Sequence, residues 1–433
     1  MLTQRRKCDI VISIIRLTPR RIIMDVKTIQ KKRNVYLVVG VLAMLFSGVL
    51  YAWSILKAPF KEIFGWSDSS LALNFTMTMC FFCLGAFAGS LICKKIGPKI
   101  TLVISGLLVG AGFGLTGLLT ADKLWLLYVA YAFLAGSGIG ISYNVVVSTV
   151  SAWFPDRKGF CSGSLMMGFG LSTLLLGSSI EKFYSMPAFG WSRTFMLLGL
   201  VIAVVLIIAG LILRRPGADA VFPAAKVKGT AKKDAVITKD YTTKEMLRSV
   251  TFWCAFVCLA FITAVGNSVI SFAKDLALSV DATPALATTL VGVLAVCNGL
   301  GRIITGAVYD VLGRRATMLA SNVLTIAAAG ITLVAVQTNS LVLCIAGLCL
   351  TGITYGSCPT ISSAFSLSFF GLKYFPVNYS ITNFNLIVAA FIAAGSNSLF
   401  ISTSSYTAPF IMLLALAVVA LGLNFTIKNP KAE

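Results

Sequence analysis

Long apolar blocks separated by short polar breaks fill almost the whole chain, at about 35–56, 70–93, 100–120, 124–150, 158–180, 191–213, 250–273, 284–309, 315–336, 340–368, 377–400 and 407–427. A helix needs about 20 residues to cross the ~30 Å hydrocarbon core of a bilayer, and each block supplies that length. The pattern predicts an all-α membrane protein with twelve transmembrane helices. One long polar stretch, 214–249, interrupts the series after the sixth block and carries 9 basic and 4 acidic residues with Pro216, Pro223 and Gly229. It reads as a flexible or partly helical linker. The chain then divides into a basic tail (1–34), a six-helix half (35–213), the linker (214–249), a second six-helix half (250–427) and a short tail (428–433).

The halves repeat at an offset of 216 residues. Gly97-Pro98-Lys99 matches Gly313-Arg314-Arg315, Gly136 and Gly140 match Gly352 and Gly356, and Trp153-Phe154 matches Phe369-Phe370.

Composition agrees with a bilayer as solvent, since 58% of the 433 residues are hydrophobic and 12% charged where soluble domains carry about 25% charged residues. A net charge of +21 suggests nucleic acid only if the basic residues cover one solvated face. Here they alternate with the apolar blocks. With the N-terminus inside, the inner polar segments hold 29 Lys and Arg and the outer ones 6, as the positive-inside rule requires. The charge is therefore topology, nucleic acid is not expected as a partner, and both termini are expected on the cytoplasmic face of the cell membrane. Arg302 alone belongs to neither set.

There is no His, which removes the commonest general base and metal ligand, and all fifteen acidic residues fall outside the blocks. Chemistry inside the membrane has no residues to perform it, so an enzyme is not expected. The eleven Cys show no metal-binding spacing, and Cys80 and Cys83 read as small packing residues. Neither a metal nor a cofactor is called for.

Between the eighth and ninth blocks stands Gly306-Ala307-Val308-Tyr309-Asp310-Val311-Leu312-Gly313-Arg314-Arg315. Gly306 permits close helix approach, Gly313 a tight turn, and Asp310 can accept from N–H groups at a helix start, while Arg314 and Arg315 are expected at the inner surface. The first-half copy departs from it. Ser90 stands for the first Gly and Lys94 for the Asp, with Gly97 retained, so the acidic cap cannot form there.

This G-x-x-x-D-x-x-G-R-R run resembles the signature of the major facilitator superfamily, in which two six-helix repeats hold a substrate between them near the bilayer midplane. Tyr51-Ala52-Trp53-Ser54, Pro59, Gly65-Trp66-Ser67, the run Ala152–Gly159, Gly168-Phe169-Gly170, Phe370-Gly371 and Asn378-Tyr379 are similar to the oxalate/formate antiporter family, from about residue 35 to 425. Monocarboxylate transporters are similar as well. The resemblance implies a secondary transporter of small organic anions working by alternating access, with a substrate-binding Arg in the eighth helix.

Arg302 matches that position, and the residue argues for itself. It lies eight residues before Asp310, about 12 Å deeper along a helix. An unpaired guanidinium at that depth costs several kcal/mol and cannot shed its proton. It must face a cavity, where its planar fork suits a carboxylate; the competing reading, snorkelling or internal pairing, finds no acid in the blocks to pair with.

Two departures narrow the substrate. Oxalate-exchanging members carry a Lys in the eleventh helix, where this chain offers Asn383 and Asn385. One buried cation balances one carboxylate, which favours short monocarboxylates such as formate or lactate over oxalate. Asn298 stands where monocarboxylate transporters have an Asp one turn before the Arg, which leaves no proton carrier and favours anion exchange. Proton-coupled symport and a non-transporting sensor on a carrier fold remain the alternatives. Tyr51, Trp53, Tyr143, Asn144, Asn267 and Tyr355 lie on helices that line the cavity in this fold and are candidates to complete the site, with interfacial anchoring as the competing role for the aromatics. The chain is expected to work in the lipid bilayer as a monomer.

Overall fold

A computed structural model describes residues 26–217, 222 and 240–427. The first half contains α1 (Val26–Ser47), α2 (Trp53–Leu56), α3 (Ala58–Glu62), α4 (Asp68–Thr116), α5 (Leu124–Leu127), α6 (Gly136–Ser151), α7 (Lys158–Ser185) and α8 (Gly190–Ile212). The second contains α9 (Thr243–Arg248), α10 (Val250–Leu278), α11 (Pro284–Gln337), α12 (Leu341–Phe370), α13 (Phe375–Thr382), α14 (Asn385–Thr403) and α15 (Thr407–Thr426). A 3-10 segment, Gly48–Ala52, joins α1 to α2, and a π-helical stretch, Tyr128–Ala135, joins α5 to α6.

Among the described residues, ten helical rods are long and apolar enough to cross a bilayer. Two of them are too long for one crossing: α4 has 49 residues and α11 has 54, which as straight rods would reach roughly 74 and 81 Å. Each is broken by one glycine, Gly97 at φ 79°, ψ 169° and Gly313 at φ 78°, ψ 179°, a backbone region open essentially to glycine alone. Both rods fold back there. On α6, Gly138 packs on Ser105 and Val109 while Gly140, two positions on, packs on the Phe82 carbonyl; a straight α4 would hold residues 82 and 105 about 35 Å apart. With each long rod crossing twice, ten rods make the expected twelve crossings.

The repeat is visible atom by atom. Gly140 meets the carbonyl of Phe82 and Gly356 that of Asn298; Gly85 meets the carbonyl of Ser137 and Gly301 that of Ile353. Thr101 donates to Gly97 O at 2.7 Å and Thr317 to Gly313 O at 2.8 Å. Each pair is separated by 216 residues, and in the interhelical glycine contacts the missing side chain lets two backbones approach, as helices in lipid commonly require.

Three expectations need correction. The helix begins at Val26, inside the stretch read as a tail, because a helix does not stop where its hydropathy does. Arg33 is buried there, paired with Asp156 and held 4.4 Å from the centre of the Phe154 ring. Arg314 is also buried rather than at the surface: its Nη2 donates to the Ile427 carbonyl at 3.3 Å, and the guanidinium lies 5.2 Å from the centre of the Phe369 ring, so a helix-end carbonyl and a ring face replace water. Arg315 is exposed, as are Lys94 and Lys95. Finally, Glu181, Asp275 and Asp310 sit on helices rather than between them, since the rods run past the bilayer core at their ends. Residues 1–25 of the expected tail, 218–221 and 223–239 of the linker, and the tail at 428–433 lie outside the described residues.

Gly97→Ala and Gly313→Ala are each expected to cost about 1–3 kcal/mol of stability, seen as lower thermal midpoints of the purified protein. Gly114→Ala, where an added Cβ meets nothing within 4 Å, is the control and should show no loss.

Candidate functional site

The halves meet along α7 and the first part of α11, which run antiparallel at close range. Gly159 packs on Gly306 backbone to backbone, Gly163 faces the Arg302 carbonyl, and Gly299 faces Leu171. At the glycine-turn end, the Asp310 carboxylate accepts from the N–H groups of Gly159 and Phe160, both at 2.7 Å, capping the start of α7 across the seam. Cys83 donates its thiol to the Asn383 carbonyl at 3.5 Å on the opposite side. The seam is closed from this end inward past Arg302.

Arg302 lies eleven residues before Gly313, about 17 Å in from the turn, near the middle of a ~30 Å core. It is 1% exposed. Its Nε donates to Asn298 Oδ1 at 3.1 Å and its Nη1 to the Met166 carbonyl of the other half. Gly170 makes the space: a Cβ there would stand 2.9 Å from the guanidinium carbon. Among the described residues, no carboxylate forms an ion pair with Arg302.

The guanidinium borders a cavity of about 20 Å³ lined by Tyr51, Phe82, Tyr143, Phe169, Thr263, Arg302, Tyr355, Pro359 and Leu386. That volume is room for about one water-sized group. Its walls differ. The first half contributes four rings in mutual contact, Tyr51 on Phe169 at 5.2 Å, Phe82 on Tyr143 at 5.1 Å and Tyr143 on Phe169 at 5.2 Å between centroids. The second contributes the cation, Thr263 and the Tyr355 hydroxyl. Across the repeat, Phe82 and Phe169 correspond to Asn298 and Asn385, and Arg302 to Ala86. Pseudo-symmetric backbones thus carry an aromatic wall on one side and the cation on the other.

The sequence candidates fall in three groups. Arg302, Tyr51, Tyr143 and Tyr355 line the cavity. Asn298 and Asn267 stand behind it, the first holding Arg302 and the second accepting from Tyr355 Oη at 2.8 Å. The others lie elsewhere. Trp53 is packed in the first-half core, its ring 4.6 Å from Tyr131 and its Nε1 donating to Leu71 O at 3.2 Å; residues two apart on a helix do not share a face, so Tyr51 and Trp53 part company. Asn144 donates to Pro376 O at 3.1 Å across the seam. Asn385 donates to Ser362 Oγ at 3.3 Å, and Asn383 offers its carbonyl to Cys83; their helix breaks at Asn383–Phe384, which turns Leu386 toward the cavity instead. Phe82, Phe169, Thr263 and Pro359 also line it, and their apolar or small side chains carry no sequence signal that separates them from packing residues. The Tyr379 hydroxyl meets that of Tyr143 across the seam at 2.9 Å, a role that its Asn-Tyr motif does not announce.

A family profile described as Major Facilitator Superfamily matches residues 36–273 and 256–433. The chain is 31% identical over 285 residues to the oxalate:formate antiporter of Oxalobacter formigenes, an alignment covering 65% of each protein, just under two thirds of the antiporter's length. It is 27% identical over 146 residues to monocarboxylate transporter 12 of Rattus norvegicus, covering 34% of this chain and 29% of that one. Among solved structures, the proton:xylose symporter XylE superposes with a TM-score of 0.71 at 14% identity, covering 94% of this chain and 98% of the other, a likeness of fold.

Tyr143→Phe and Tyr379→Phe should each cost about 1 kcal/mol, and the double variant clearly less than the sum of the two. Thermal midpoints of the three proteins measure this; full additivity would mean the two hydroxyls do not share a bond.

Proposed function

This chain belongs to the major facilitator superfamily, and on that premise we propose that it is a secondary carrier of short monocarboxylates, formate-sized to lactate-sized, which exchanges one anion for another by alternating access. The observation that carries the reading is Arg302: a permanent cation, 1% exposed, unpaired with any described carboxylate and bordering the cavity between the halves. A guanidinium there is stable only with a compensating anion or at a cost of several kcal/mol. A carboxylate supplies the charge and accepts in the plane of the fork, while the aromatic wall opposite receives the organic end of the molecule.

The charge count sets the preference among acids. Arg302 is the cation of the cavity, and Leu386 occupies the place on the eleventh crossing where a second cation would be needed for a second carboxylate. A dianion would bring one uncompensated charge into the site. The similarity to an oxalate:formate antiporter supports the carboxylate class, and the single cation selects its monovalent members.

Exchange follows from the same residue. When the site is empty and the halves close over it, Arg302 must be buried without its counter-ion; when it is loaded, the charge is balanced. Loaded return is therefore faster than empty return. The partner of Nε is the neutral amide of Asn298, which cannot deliver a proton. The 29 to 6 bias of basic residues supports a cytoplasmic side for the closed, glycine-turn end of the seam, and release to that side would require this end to part.

Purified protein in liposomes loaded with formate should take up labelled formate, and unloaded liposomes should take up far less even under an inward proton gradient. Robust uptake into unloaded, proton-driven vesicles would replace exchange with symport, and no uptake in any format would leave a sensor. Arg302→Ala should lower uptake about 10- to 100-fold, the equivalent of one or two charged hydrogen bonds, and Arg302→Lys should not rescue it, because an ammonium lacks the planar fork. Oxalate should compete poorly; tight oxalate competition would sink the single-cation argument.

A further inference from the structure

Lys94 leaves the first half without the acidic cap that Asp310 makes in the second. The 216-residue offset that pairs Lys94 with Asp310 also pairs Phe375 and Pro376 with Gly159 and Phe160, the residues whose N–H groups Asp310 holds. Both sides of the second cap are therefore altered. The carboxylate has become a cation, and one of the two donors has become a proline, which has no N–H to give. The other donor, Phe375 N, is taken by Leu372 O at 3.2 Å.

A different carboxylate serves the same turn. Asp240, at the end of the segment joining the halves, accepts from the Lys373 N–H at 3.1 Å, two residues before α13. It lies against Gly371, which takes φ 81°, and a Cβ on Gly371 would collide with it. The residues after Asp240 hold it in place. Tyr241 N–H donates to Phe370 O at 3.0 Å, and Asn378 Nδ2 returns a bond to Tyr241 O at 3.0 Å. Thr243 Oγ1 donates to Asn378 Oδ1 at 2.9 Å. Thr242 and Glu245 close a reciprocal capping box at the start of α9, and Met246 is buried. All of these partners belong to the second half.

We propose that residues 240–248 form a clamp that has taken over the missing cap, moving it from the seam into the second half, so that Asp310 makes the one carboxylate cap that crosses the seam among the described residues. A cap within one half survives when the halves part, whereas a cap across the seam must break. The consequence for opening rests on the alternating-access reading; the clamp itself does not, and the experiment separates the two.

The full chain, reconstituted in nanodiscs, is followed by backbone hydrogen exchange and by mass-spectrometric thiol labelling of Cys161 and Cys83, both buried in this structure. Asp240→Asn should speed amide exchange at 371–378 at least about tenfold with 157–163 unmoved, and Asp310→Asn should do the reverse and also speed labelling of Cys161. Lys94→Asp combined with Pro376→Ala recreates a carboxylate and its donor, and should slow labelling of Cys83 about tenfold relative to Lys94→Asp alone. Thermal midpoints check that each variant is folded. Unchanged exchange at 371–378 in Asp240→Asn, or an equal rise at both turns, overturns the clamp. Equal Cys83 labelling in the double and single variants overturns the claim that the first-half cap across the seam has been lost. If carboxylate exchange is never observed while these shifts appear, the clamp stands and the transport reading fails.

Discussion

A guanidinium near the middle of a bilayer cannot be neutralised by losing its proton, and the architecture around Arg302 reads as a set of answers to that constraint. Gly170 withdraws a side chain to admit the group, Asn298 and the Met166 carbonyl each take a donor, and the remaining requirement, a negative charge, is met by no described residue of the chain. Two of these supports, Gly170 and Met166, come from the first half, and one, Asn298, from the second. The cation therefore sits on the seam rather than inside either half, and any anion that reaches it is in contact with both.

The repeat explains how so polar a site can rest on so regular a scaffold. Backbone contacts such as Gly140 with Phe82 and Gly356 with Asn298 are copied between halves almost atom for atom, because helix approach depends on the absence of side chains. The side chains that point into the cavity are not copied. Across the repeat Arg302 answers to Ala86, Tyr143 to Pro359, and Phe82 to Asn298 behind the cavity, and the chemistry of the site comes from that divergence. The symmetric part makes two rigid bodies, and the asymmetric part gives them something to hold.

Most of the scaffold was legible in the sequence because lipid imposes a coarse rule: apolar length sets the number of crossings. Arg302 was legible for the same reason, as the one basic residue outside the topology pattern. Details that depend on rotation about a helix axis were not. Trp53 lies two positions from Tyr51 across a 3-10 segment and faces the first-half core, and the break at Asn383–Phe384 exchanges the amides for Leu386 at the cavity. Arg33 and Asp240 were hidden differently. Both stand in stretches whose polarity reads as solvated tail or linker, yet each finds a buried or turn-forming partner more than 100 residues away, a pairing that no local pattern announces.

The docking of residues 240–248 on the turn before α13 also fixes where one structural unit ends and the next begins. Arg214 still belongs to the first half, since its carbonyl accepts from Trp153 Nε1 at 2.7 Å, and the Phe222 ring lies 6.2 Å from that of Trp153. Asp240 already belongs to the second. The boundary in the covalent chain thus falls between 222 and 240, and the contacts that bury Arg33 and Arg314 each lie within one half. The pairing of the halves is carried by the glycine faces of α7 and α11.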